Sequence, residues 1–133
     1  MSQENVDLAR EVWAAYQNGG IGAISGYYAR DAVVEDIPEL PDGRTYVGFE
    51  GARERYWQFV RVWGDFSIEP VEFIDGGDDS VVVTTAMAGR APGSGLPLHA
   101  PAVFVWEVRD HKIVRDRAFM SKQAALEALG LTE

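Results

Sequence analysis

The most informative part of this sequence is residues 28–38, which read YARDAVVEDIP. We interpret it as the end of a helix, a break at Arg30-Asp31 and a short β-branched strand that Pro38 closes. Two acids, Glu35 and Asp36, end this strand. Because side chains on a strand alternate between its two faces, one of the two must point inward. A carboxylate in an apolar interior is costly unless something uses or satisfies it, so this pair is a candidate for function.

The rest of the chain changes its apolar period once, at Phe66. Before that point, apolar spacing predicts helices over about residues 5–18, 21–28 and 50–63, with a loop over 38–48. Beyond it, the period is two, and the sequence predicts four strands: Phe66–Asp75, Ser80–Arg90, Leu98–Arg109 and Lys112–Met120. A short helix over 122–129, with Ser121 as N-cap and Gly130 at its end, closes the chain. Helices followed by an antiparallel meander define an α+β domain.

Composition limits the classes of function. A chain of 133 residues predicts one domain over 1–133, and its net charge of −9 opposes nucleic acids and anionic membranes as partners. There is no cysteine and there are two histidines, so we expect no metal site and no cofactor held by thiolates. No apolar run is long enough to span a bilayer, and the polar N-terminus lacks a signal-peptide core. We therefore expect a cytoplasmic protein.

Several motifs, taken in this order, resemble the SnoaL-like branch of the nuclear-transport-factor-2-like superfamily. They are YARDAVVEDIP (28–38), GFEG (48–51), FIDGGDDSVVV (73–83), GSG (93–95), VWEVRDHKI (105–113) and ALEALGL (125–131). The resemblance covers nearly the whole chain. It implies a cone of curved antiparallel sheet, closed around a pocket by the three helices of the N-terminal half. Members of the superfamily include steroid isomerases, epoxide hydrolases and polyketide cyclases, so the fold alone does not decide the function.

The resemblance to the isomerase-like members nominates Asp36 as a general base. Their Val-Glu-Asp-Pro run is similar to residues 34–38, with Ile37 inserted before the proline. The positions of their oxyanion-hole tyrosine and acid correspond in this chain to Val12 and Val103. Tyr16 lies one helical turn beyond Val12, which moves its hydroxyl by about 5 Å. The steroid-isomerase set is therefore incomplete.

The epoxide-hydrolase relay of Asp, Arg and Asp is also absent. The first two members of this relay should lie on the strand Val81–Ala88, which has no Arg, Asp or Glu. The position of its last member corresponds here to Ala118. If Val103 faces the cone, alternation places His99 beside it. If Ala118 faces the cone, alternation places Asp116 and Met120 on the same side of their strand.

The candidate catalytic residues are therefore Asp36, His99 and Asp116. The candidate ligand-binding residues are Val12, Tyr16, Val103, Ala118 and Met120. Two plainer interpretations stay open: Asp36 can cap a turn or pair with an arginine, and His99 with Asp116 can form a simple salt bridge.

Other aromatic residues predict assembly rather than chemistry. By strand parity, Phe104, Trp106 and Phe119 fall on the outer face of the sheet, which predicts a homodimer through that face. Most of the helical aromatics are expected in the core or at the dimer surface. The function hypothesis is a cofactor-free isomerase, cyclase or lyase that acts on a small apolar or polyketide-like molecule with Asp36 as base. The alternative is a small-ligand-binding or orphan dimerisation module without catalysis.

Overall fold

The helices and strands follow the predicted order in a computed structural model that describes residues 2–38, 44–64 and 66–131. The helices are α1 (Ser2–Gly19), a 3₁₀ helix (Ile21–Tyr27), α2 (Gly48–Trp63) and α3 (Lys122–Ala128). The strands are β1 (Tyr28–Glu35), β2 (Thr45–Val47), β3 (Phe66–Asp75), β4 (Ser80–Arg90), β5 (Pro97–Arg109) and β6 (Lys112–Phe119).

The strands form one curved six-stranded sheet in the order β2-β1-β6-β5-β4-β3. Strands β3 to β6 pair antiparallel in sequence order, which confirms the predicted meander and the α+β class. The pairing of β1 with β6 is parallel, so the first long strand lies beside the last one. This pairing brings residues from the two ends of the chain together in the middle of the sheet.

Two local predictions around β1 need correction. The strand begins at Tyr28, not after a break at Arg30-Asp31, because Tyr28 already pairs with Ile113 of β6. The segment before it is a 3₁₀ helix, in keeping with its two internal glycines, which disfavour a longer α-helix. The predicted loop over 38–48 contains the short strand β2, which pairs with β1, while residues 39–43 of that loop lie outside the described residues.

The sheet has two covered faces, and the sequence assigned some residues to the wrong one. We call concave the face that α1, the 3₁₀ helix and α2 cover, and convex the opposite face, part of which α3 covers. Phe104 and Trp106 lie in the concave core, not on the outer surface. Val103 and Phe119 pack on the convex side against α3. The residues that led us to predict a homodimer are therefore not on the outer surface, and the homodimer stays a prediction. Light scattering tests it by comparing the mass in solution with the monomer mass of 14.7 kDa.

Within the described part of the chain, no helix is both long and apolar enough to cross a membrane.

Candidate functional site: an aromatic cavity with a buried carboxylate

A cavity lies between the helices and the concave face of the sheet. Fifteen residues line it, of which eight are aromatic and only Arg55 and Asp116 carry a charge. The room open to the centres of water-sized molecules is about 70 Å³. Since one water needs roughly 10–15 Å³ on this measure, the cavity has room for about five waters or a small ring compound. Its walls suit a ligand that is largely apolar, with one polar end.

The polar end of the cavity is a cluster of three side chains centred on Asp116. The Tyr28 hydroxyl donates to Asp116 Oδ2 at 2.5 Å, and Arg55 Nη2 donates to the same oxygen at 2.8 Å. Arg55 Nη1 donates to two backbone carbonyls, of Glu35 at 3.1 Å and of Asp116 at 3.4 Å. Asp116 is fully buried and Arg55 is 5% exposed. Charge-assisted hydrogen bonds of this kind fix both side chains firmly.

Three separate elements supply this cluster. Tyr28 opens β1 and Asp116 lies on the neighbouring β6. Arg55 comes from α2, three residues after Ala52 and four before Phe59, so it shares their inward face. The helix can approach this closely because Gly51 lacks a side chain: a Cβ there would lie 2.4 Å from Cβ of Tyr46.

The cluster raises the pKa values of Tyr28 and Arg55. Burial, and then the Asp116 charge, raise the pKa of Tyr28 well above its ordinary value, so its hydroxyl stays a donor. Burial alone would lower the pKa of Arg55, but Asp116 and Tyr28 outweigh it and the net direction is upward. The guanidinium is therefore a permanent cation beside the carboxylate.

Three buried polar atoms around the cavity have no hydrogen-bond partner among the described residues. They are Asp116 Oδ1 and the indole nitrogens of Trp13 and Trp106. All three residues line the cavity. A buried donor or acceptor left unsatisfied costs about 1–3 kcal/mol. Residues of the cavity wall therefore carry three polar groups whose hydrogen bonds the described part of the chain does not supply.

Tyr16 stands between the cavity and an open surface groove. It lines both spaces, as does Ile68 of β3. Its hydroxyl donates to that of Tyr56 at 3.2 Å, which links α1 to α2. Burial, followed by this hydrogen bond, raises the pKa of Tyr16 well above its usual value. Tyr16 is thus a neutral wall of the cavity on the side nearest the groove.

The structure brings together only part of the predicted site. Val12, Tyr16 and Asp116 line the cavity, as the sequence suggested. Asp36 does not line it: its carboxylate accepts from the Arg44 backbone N–H and from the Tyr46 hydroxyl, each at 3.5 Å. Asp36 therefore bridges the connection between β1 and β2, in line with the plainer interpretation of a turn cap.

The other predicted residues lie away from the cavity. His99 is exposed and, by alternation with Val103, lies on the convex side of β5, so it does not meet Asp116. Met120 follows the end of β6 and is 47% exposed. Ala118 belongs to the concave core but does not line the cavity. The expected convergence of Asp36, His99 and Asp116 is wrong in its geometry.

Sequence reasoning missed two members of the cluster and misplaced several aromatics. Arg55 was not among the predicted site residues, although its spacing from Ala52 and Phe59 places it on their inward face. No local sequence pattern indicated that Tyr28 belongs to the site, because its partner Asp116 is 88 residues away. Four of the aromatics expected mainly in the core or at a dimer surface also line the cavity: Trp13, Tyr56, Phe59 and Phe104.

Comparison with known proteins places this chain in a family. The SnoaL-like domain model matches residues 9–116, and the chain belongs to that family. No curated protein matches the sequence significantly.

Solved structures share the fold at low sequence identity. A structure of TerC, co-crystallised with polyporic acid, has a TM-score of 0.71 and 23% identity, over 95% of this chain and 98% of that one. A nuclear-transport-factor-2-like protein from Burkholderia thailandensis has a TM-score of 0.75 and 18% identity, over 97% and 98%. A putative SnoaL-like polyketide cyclase from Jannaschia sp. has a TM-score of 0.71 and 16% identity, over 98% and 94%. These likenesses support the fold.

Proposed function

We propose that this protein is a cofactor-free enzyme of the isomerase, cyclase or lyase type that acts on a small, largely apolar carbonyl compound. The concave cavity is its active site, and Asp116 accepts the proton. The observation that carries the proposal is the free oxygen of a fully buried carboxylate: Asp116 Oδ1 has no partner among the described residues and its side chain lines the cavity.

The rest of the cluster suits this role. Tyr28 and Arg55 both donate to Oδ2, which fixes the carboxylate and leaves Oδ1 for a ligand. The proton that Asp116 accepts lies on a carbon next to a carbonyl group, because the carbonyl makes that proton acidic enough for a carboxylate to remove. In the proposed step, Oδ1 takes this proton and the C–H electron pair moves to the carbonyl oxygen. Return of the proton to another position isomerises the compound.

Similar structures support a small-molecule ligand. TerC was co-crystallised with polyporic acid, and the Jannaschia protein is described as a putative polyketide cyclase. The eight aromatic walls of this cavity would hold a flat ring by stacking and edge contacts.

The test is hydrogen exchange in heavy water with 2-indanone, a flat ketone whose acidic protons adjoin its carbonyl. We expect the protein to accelerate the replacement of these protons by deuterium, followed by proton NMR. Asp116→Asn keeps the size of the side chain but removes the base, so the accelerated rate should fall about 10²-fold or more. Circular dichroism checks that the variant folds.

The matched control is Asp36→Asn, the same chemical change outside the cavity. We expect this variant to keep the wild-type rate. If Asp36→Asn loses the rate and Asp116→Asn keeps it, the base is Asp36, as the sequence first suggested. If 2-indanone binds but wild-type protein does not accelerate exchange, the protein is a ligand-binding module and the catalytic proposal is wrong.

A further inference from the structure

We propose that Tyr16 sets the length of the ligand that the concave cavity accepts, because its ring closes the cavity against the surface groove beside it. This inference rests on the proposed function, since it concerns the same cavity, and it adds a specificity-determining residue. A compound of one or two fused rings fits behind Tyr16. A longer flat ketone has to push the ring aside and extend into the groove.

The cavity has a buried part and a partly exposed rim. Asp116 and eight other lining residues are buried. Ring contacts join three residues of the rim, since the Tyr56 centroid lies 6.0 Å from that of Tyr16 and 5.7 Å from that of Phe66. A flat ligand whose carbonyl end lies at Asp116 therefore extends towards the rim, because the other walls are buried. The rim consists of the six partly exposed lining residues: Tyr16, Ile21, Tyr56, Phe59, Phe66 and Ile68.

A groove on the surface continues beyond the rim. Its exposed members are Gln17, Ser67 and Glu69. Tyr16 and Ile68 line both the groove and the cavity, so the side chains of these two residues separate the two spaces. The room open to the centres of water-sized molecules is about 450 Å³ in the groove, against about 70 Å³ in the cavity. Moving one side chain of this wall would join a small space to a large one.

Tyr16 is the member of the wall that can move. Its hydroxyl donates to that of Tyr56 at 3.2 Å, and a neutral hydrogen bond of this kind adds little net stability. The residue lies in the last turn of α1, where its carbonyl accepts from the N–H of Gly20. The ends of helices open more readily than their middles. Ile68, in contrast, is paired with Met87 inside the sheet. Displacement of the Tyr16 ring therefore costs less than displacement of Ile68.

The experiment compares two ketones that differ only in a phenyl group. 2-Indanone fits behind Tyr16, whereas 5-phenyl-2-indanone carries the phenyl group at the end away from its carbonyl. Isothermal titration calorimetry measures the affinity of each, independently of any catalysis. We expect the wild type to bind 2-indanone about tenfold more tightly, because the longer ketone has to break the hydrogen bond between Tyr16 and Tyr56 and displace the ring.

Two substitutions of Tyr16 test the cause of this preference. Tyr16→Phe keeps the ring but removes its hydrogen bond, so the affinity for 5-phenyl-2-indanone should rise about fivefold, which corresponds to one neutral hydrogen bond. Tyr16→Ala removes the ring and joins the cavity to the groove, so this variant should prefer the longer ketone. Neither change should tighten the binding of 2-indanone. If Tyr16→Ala fails to fold, Tyr16→Phe still decides the question.

The matched control is Tyr27→Ala, the same change at a tyrosine that does not line the cavity. The Tyr27 hydroxyl also donates to a side chain of α1, the carboxylate of Glu11, at 2.7 Å. We expect Tyr27→Ala to keep the wild-type preference between the two ketones. If it favours the longer ketone as much as Tyr16→Ala does, a general loosening of α1 explains the change, and the proposed role of Tyr16 is wrong.

The other outcomes separate this inference from the proposed function. If the wild type binds both ketones equally well, or if both Tyr16 variants keep its preference, Tyr16 does not set the length. Exchange of 2-indanone protons that depends on Asp116 would then still support the enzyme. If neither ketone binds to the wild type or to either variant, both proposals are wrong. A preference that Tyr16→Ala reverses, without catalysed exchange, would support the length limit and overturn the enzyme.

Discussion

Strand β6 carries two arginine–carboxylate pairs on adjacent residues, one on each face of the sheet. On the convex face, Arg115 Nε lies 2.7 Å from Glu35 Oε2, and the two side chains are 41% and 30% exposed. On the concave face, Arg55 Nη2 lies 2.8 Å from Asp116 Oδ2, and the side chains are 6% and 0% exposed. The distances are nearly equal, so the length of the ion pair does not distinguish the two, whereas burial does.

The difference shows why distance is a poor guide to what an ion pair contributes. Water competes for the convex pair and screens it, so its net worth is small. The concave pair has lost its water, and each charge depends on the other and on Tyr28. A hydrophobic pair can often replace a buried ion pair at no loss of stability, so burial by itself does not make the concave pair stabilising. Each prediction below tests one side of this contrast.

The largest effect should follow removal of the buried cation. Arg55→Met keeps the length of the side chain but leaves Asp116 as an uncompensated buried charge. We expect the free energy of unfolding to fall by about 3–5 kcal/mol, measured by urea denaturation. A loss below 1 kcal/mol would show that the pair is no different from the convex one.

Removing both buried charges should restore most of that loss. In the double variant Arg55→Met with Asp116→Leu, no charge is left without a partner, so we expect a stability near or above that of the wild type. This double variant should nevertheless no longer accelerate the exchange of 2-indanone protons. Recovery of stability without activity would show that the pair serves function; a double variant as unstable as Arg55→Met would show that it serves the fold.

Tyr28 distinguishes the buried pair from the exposed one and gives it a pH dependence. Tyr28→Phe removes the hydrogen bond to Asp116, at a cost of about 1.5–3 kcal/mol near neutral pH. Because the pKa of Tyr28 is raised on folding, above about pH 10 the unfolded chain loses this proton and the native protein keeps it. The wild type therefore loses about 1.4 kcal/mol per pH unit through this residue, and its advantage over Tyr28→Phe should shrink as the pH rises. Urea denaturation between pH 8 and 11 measures this, and an unchanged gap would contradict it.

The smallest effect should be that of Arg115→Met on the convex face. Since both side chains are about a third exposed, we expect a loss of about 0–1 kcal/mol that shrinks further in high salt. A loss as large as that of Arg55→Met would break the contrast between the two faces.

The sequence predicted the meander because alternation is a strong local signal, but it could not assign the faces of β5. In the run VFVWEV (103–108), residues of both parities are apolar. Both faces are in fact covered, by the helices on one side and by α3 on the other, so alternation carries no direction there. The choice of Val103 over Phe104 as cavity-facing was therefore open from the start, and His99 was misplaced with it.

The sequence predicted residues of the candidate site only where a single helix or strand was enough to place the side chain. Val12 followed from the resemblance to the isomerase-like members and Tyr16 from its place one turn beyond Val12. Asp116 followed from parity with Ala118, a position that the resemblance also supplied. Arg55 was not a candidate, because no local pattern shows that a charged side chain of α2 is buried against Asp116 of β6. Tyr28 depended on the parallel pairing of β1 with β6, which no local pattern reveals.

That parallel pairing also sets the order in which the molecule can assemble. Strand β1 pairs with β2, which has three residues, and with β6, which is the last strand of the chain. Until β6 has been synthesised, β2 is the strand with which β1 can pair. Arg55 likewise waits for Asp116, 61 residues later. During synthesis the N-terminal half must therefore emerge without its sheet partner, and contacts of such long sequence separation form slowly. The concave cavity is thus expected to close late, as one of the last events of folding.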